Sequence, residues 1–140
     1  MSRIAHQLKR VETLARNRQF DGLLRRLKEA PASVMELAEL SPDPWQANIL
    51  RSNAARQILL CSRQAGKSTV AAGLALSTAL VCPQSLVLLL SPSLRQSGEL
   101  FRKVSDVHRA LGNPLGTSRK STLRLELSNG SRVVSLLAGY

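Results

Sequence analysis

One stretch of this chain has the residue types that hold phosphate: Cys61, Ser62, Arg63, Gln64, Ala65, Gly66, Lys67, Ser68 and Thr69 in succession. A phosphate-binding loop wraps its backbone N–H groups around the anion and leads into a helix N-terminus, where the dipole favours negative charge. Gly66 allows close backbone approach, Lys67 would reach the β- and γ-phosphates, and the Ser68 hydroxyl would sit on Mg²⁺. The strict pattern asks for glycine at its first position, where this chain has Cys61. Arg63 within the loop offers a guanidinium for transferring phosphate oxygens, and its plainer reading is a basic residue facing solvent. Upstream, Gln46 can donate and accept hydrogen bonds at once, which matches an adenine edge. Trp45 beside it is read either as a contact to the base or as core filler.

The elements that must position these residues follow from spacing. Residues 57–61 form a short apolar run, read as a buried strand, and residues 66–80 are rich in Ala and Leu, read as a helix with Pro83 beyond it. Residues 86–90 are a second apolar strand. Residues 93–111 read as a helix stopped at Gly112. Leu123, Leu125 and Leu127 alternate with polar residues, and Asn129-Gly130 signals a type I′ hairpin to a strand over 131–137. Before the loop, Asp43, Pro44 and Gln46 suit the cap, first and third positions of a helix to about residue 53. The first thirty residues read as a basic amphipathic helix, with Ile4, Leu8, Val11 and Leu14 at helical spacing. Ser33 and Glu36 have capping-box spacing for a short helix through Leu40. The expected fold class is α/β: a largely parallel sheet of P-loop NTPase type flanked by helices, incomplete, with a helical segment before it and a β-hairpin at its end. The composition change at residues 41–44 divides the chain into a basic helical segment, 1–41, and a partial ATPase domain, 42–140.

Bulk properties narrow the partners. The 140 residues carry a formal charge of +11, which favours an anionic partner such as nucleic acid. A hydrophobic fraction of 44% argues against wholesale disorder, and an aromatic fraction of 3% leaves the core to aliphatic residues. Two cysteines without a CxxC spacing, and two isolated histidines, argue against a disulfide framework or a zinc site and fit a reducing compartment. The start has no secretory signal, and the apolar stretch 81–90 is too short and interrupted to span a bilayer. A soluble, cytoplasmic protein without a membrane partner is expected.

From Pro44 onward the chain resembles the N-terminal ATPase part of the large subunit of tailed-bacteriophage terminases, the motors that package DNA into proheads. The resemblance rests on Asp43-Pro44-Trp45-Gln46, on Ser62 through Thr69, on Ser91-Pro92-Ser93-Leu94-Arg95-Gln96-Ser97 and on Leu127 through Arg132. An Arg-Gln pair inside the loop, with the first glycine missing, is a habit of that family. The resemblance implies that Gln46 recognises adenine, that Lys67, Ser68 and Thr69 hold phosphate and magnesium, and that Arg63 senses or stabilises the γ-phosphate. It further implies a nucleotide-coupling role for Arg95 and Gln96, with Arg95 near DNA. Double-stranded DNA, a portal protein, a terminase small subunit and a ring of like subunits are the partners it implies for a full-length protein in a bacterial host.

The family's aspartate-glutamate pair, which holds magnesium and activates water, has no counterpart here. Glu99, Asp106 and Glu126 do not end a buried apolar strand. The coupling motif and nuclease domain of the family also have no match, so the sequence reads as a truncated motor that binds ATP and turns it over little. Two other readings stay open: a helicase-type DNA-dependent ATPase fragment, and a non-enzymatic basic remnant that binds nucleic acid through residues 3–28.

Overall fold

The structure, a computed structural model, describes residues 2–139. Helix α1 (Arg3–Glu29) begins at Ser2, whose hydroxyl accepts the Ala5 N–H at 3.2 Å. Its first half stands free, with Ile4, Leu8, Val11 and Leu14 all exposed, and only Leu27 is buried. Helix α2 (Ser33–Leu37) follows after Pro31. The capping box expected of Ser33 and Glu36 does not form. Ala32 takes the cap position, the Ser33 hydroxyl donates back to the Ala30 carbonyl at 2.6 Å, and Glu36 faces Arg26 at 3.6 Å. Helix α3 (Pro44–Arg51) starts as expected, with Asp43 at its cap, and the Asp43 N–H donates to Gln46 Oε1 at 2.9 Å.

Helix α4 (Lys67–Val81) is the hub. One side packs on α2 and α3, and Gly73 permits the close approach: a Cβ there would meet Val34 Cγ1 at 3.3 Å. Its other side meets helix α5 (Leu94–Ala110) and the sheet. Leu27, Val34, Met35, Ala47, Leu50, Val70, Leu76, Leu80, Phe101, Val104, Leu125 and Val133 share a single core, which therefore runs across residues 41–42.

The sheet contains β1 (Leu86–Ser91), β2 (Thr117–Lys120), β3 (Arg124–Leu127) and β4 (Arg132–Leu137), in the order β1-β4-β3-β2. It is mixed where a largely parallel sheet was expected. Only β1 and β4 run parallel, with α5, β2 and β3 between them in the chain, while β2, β3 and β4 are antiparallel neighbours. Short turns explain this, because a connection of a few residues cannot return the chain to the start of a parallel neighbour. The hairpin turn also differs from expectation. Among residues outside glycine, Asn129 does not have positive φ, whereas Gly130 lies at φ 81° and its N–H bonds the Leu127 carbonyl at 3.0 Å. A type I turn followed by left-handed glycine replaces the type I′ turn, which needs positive φ at both central residues.

Residues 57–61 are the largest departure. They join no sheet, and Ile58 and Leu60 are 95% and 98% exposed. A strand is held by backbone bonds to a neighbour, and residues 57–61 join no ladder although the outer edge of β1 is unpaired. The architecture is α/β, a four-stranded sheet with helices on one face. No helix among the described residues is long and apolar enough to cross a membrane.

Candidate phosphate-binding site

The loop folds sharply before α4. Gln64 has φ 59° and Gly66, at the helix cap, has φ 88°. The positive φ favours glycine at the second of these, and a Cβ on Gly66 would also lie 2.5 Å from Gln46 Nε2, displacing that side chain. Gln46 is buried and acts as a brace. Its Oε1 accepts from Asp43 N, while its Nε2 donates to the Gly66 carbonyl at 3.1 Å, joining the start of α3 to the start of α4. Each end of the carboxamide keeps one unused hydrogen-bonding position.

Lys67 folds back over the loop. Its ammonium donates to the carbonyls of Cys61 at 2.9 Å and Ser62 at 2.8 Å, so the charge is held above the turn that an anion would enter. The Val70 N–H is taken by the Gly66 carbonyl at 3.1 Å, which leaves the N–H groups of the preceding turn as the free positive end of α4. Residues 64–69 and Lys103 line a hollow of about 320 Å³. No carboxylate lines it. Ser68 is exposed there, and the Thr69 hydroxyl lies 3.4 Å from Lys103 Nζ.

The structure thus brings Gln64, Ala65, Gly66, Lys67, Ser68 and Thr69 together, with Gln46 beneath them. Trp45 and Ser62 lie to the side, lining a second hollow of about 570 Å³ that shares Ala65 with the first. Arg63 is exposed and lines neither. Arg95 and Gln96 sit in the first turn of α5. Arg95 reaches Glu99 at 3.9 Å, and Gln96 bonds Ser93 through its N–H at 3.2 Å. Neither lines the first hollow.

The acidic residues that follow the loop are paired elsewhere: Glu99 with Arg95, Asp106 with Arg109 at 3.5 Å, and Glu126 with Arg124. Among the described residues no cluster of three or more His, Cys, Asp or Glu side chains is set to hold a metal. Lys103 was invisible to sequence reasoning. It is one more cation on a basic helix, and only the packing of α5 against α4 brings it to the loop. No protein-family model matches this chain, and no curated protein matches it.

Proposed function

We propose that this chain binds Mg-ATP in the hollow at the start of α4 and forms the ATP-binding front part of a DNA-packaging motor of the terminase large-subunit kind. The observation that supports it best is the fold-back of Lys67 onto Cys61 and Ser62 above a helix N-terminus free of carboxylates. Fixed N–H groups and an ammonium concentrate positive potential where a phosphate chain would lie.

The chain's residues divide the work. Gly66 and its neighbours present backbone N–H groups to the inner phosphates, Lys67 neutralises the outer ones, and Arg63, whose exposed side chain lines neither hollow as it stands, would have to reorient to meet the terminal phosphate. Gln46 holds the loop turn, and its spare hydrogen-bonding positions would meet an adenine edge, with Trp45 beside the base. A magnesium ion takes few protein ligands when phosphates and water supply the rest, and the exposed Ser68 hydroxyl fits that limited role. When bound, the ion supplies charge neutralisation between the outer phosphates. With no carboxylate in the hollow to orient a water, we expect this chain alone to bind ATP and hydrolyse it slowly.

In a full-length protein this site would couple hydrolysis to translocation of double-stranded DNA. It would work in a ring of subunits with a portal and a small subunit, in the cytoplasm of a bacterial host. The free arm of α1 supports a DNA contact, since Arg3, Lys9, Arg10, Arg16 and Arg18 are all exposed on it. Equilibrium binding of a fluorescent ATP analogue with magnesium tests the core of this reading. Binding that weakens about tenfold or more in Lys67→Ala is the expected result. No binding by the wild-type chain, or binding indifferent to Lys67, overturns it.

A further inference from the structure

The α5 lysine at the rim of the hollow has no part in the loop motif, yet its position fits a role in reading the nucleotide. Lys103 lines the hollow together with residues 64–69, and its Nζ lies 3.4 Å from the Thr69 hydroxyl. It is exposed, and none of the ion pairs among the described residues includes it. The two lysines approach from different sides. Lys67 is anchored over the loop's beginning at Cys61 and Ser62, whereas Lys103 comes from α5 to the Thr69 hydroxyl, and Ser68 lines the same hollow. In a phosphate loop the helix-start hydroxyl lies toward the outer phosphates, where it would help hold a metal ion. A cation arriving on that side meets the far end of the phosphate chain.

We infer that Lys103 is a second phosphate-contacting residue of this site and that it reads the terminal phosphate, so the site tells a nucleoside triphosphate from a diphosphate through α5. This rests on the reading of the hollow as an ATP site. The chemistry is that of a flexible ammonium whose charge has no fixed partner in the protein and finds one in the terminal phosphate oxygens. A diphosphate leaves that end of the hollow empty, and Lys103 then contributes little.

The test measures binding of a non-hydrolysable ATP analogue and of ADP, each with magnesium, to wild type, Lys103→Gln, Lys103→Arg and Lys67→Ala. Since Lys103 is exposed, the variants should keep the wild-type circular dichroism spectrum. Lys103→Gln should lose about tenfold or more in affinity for the triphosphate and less than about twofold for ADP, and Lys103→Arg should recover most of the loss. Equal weakening of both ligands by Lys103→Gln, or no weakening of either, overturns the role of Lys103. If Lys67→Ala still abolishes binding in that case, the ATP reading survives. Wild-type protein that binds neither ligand overturns the ATP reading and this inference together.

Discussion

The two faces of the sheet are made of similar residues and treated differently. On one, Leu89, Leu125, Leu127, Val133 and Ser135 lie buried under α4 and α5. On the other, Leu86, Leu88, Leu90 and Leu136 are 42–63% exposed, beside the unpaired edge of β1. Strand β1 is apolar at consecutive positions, the pattern of a strand covered on both sides. Residues 57–61 repeat it and are left outside the sheet altogether. The covered face shows what aliphatic alternation achieves when helices meet it. The open face shows the same chemistry with nothing against it, which is the arrangement that promotes edge-to-edge association.

Substitutions on the two faces should separate sharply. Leu125→Ala, fully buried, should lower unfolding free energy by about 2–5 kcal/mol in a urea titration, and a loss under about 1 kcal/mol would mean the covered face is loosely packed. Asn129→Ala comes next. The Asn129 side chain donates to the Ala79 carbonyl at 2.9 Å and so closes the end of α4, and its loss should cost about 1 kcal/mol in the same titration.

His108 adds a pH dependence to the covered side. Burial lowers its pKa below the ordinary histidine value, against an opposing hydrogen bond to the Pro114 carbonyl, and Lys120 adds a smaller push downward. The native state therefore holds the ring neutral while the unfolded chain protonates it near pH 6.5. Stability should be full above that pH and fall as the solution is acidified through it. The urea midpoint should drop between about pH 7.5 and 5.5, and His108→Gln should flatten the drop.

Leu88→Ser, on the open face, should change unfolding free energy by less than about 0.5 kcal/mol while reducing binding of a hydrophobic dye and slowing aggregation. A large destabilisation there would show that the face is covered in solution.

The helices were legible because their signals are local. Asp43-Pro44 starts α3, Ser93 caps α5 by accepting the Gln96 N–H, and the run after Gly66 forms α4. Strands β1, β3 and β4 were legible, whereas residues 57–61 were read as a strand that does not form, β2 was not foreseen, and strand partnership was not legible. The apolar runs at 57–61 and 86–91 look alike in sequence, yet only the second finds a neighbour. Strand β2, entirely exposed, carries no alternation to announce it, and it forms because the chain turns back beside β3. At the candidate site, a turn at Gly66 leading into α4 was readable from residue types and order. The brace made by Gln46 and the approach of Lys103 were not, since they join positions 20 and 34 residues apart.

The brace has a kinetic consequence. Gln46 holds the Gly66 turn and Lys67 is tethered by two carbonyls, both within the folded protein. A loop shaped in advance has little ordering left to do when a ligand arrives. If the proposed function holds, nucleotide association should therefore be a single docking event, its observed rate rising linearly with ligand concentration and showing no plateau from a slow rearrangement of the loop.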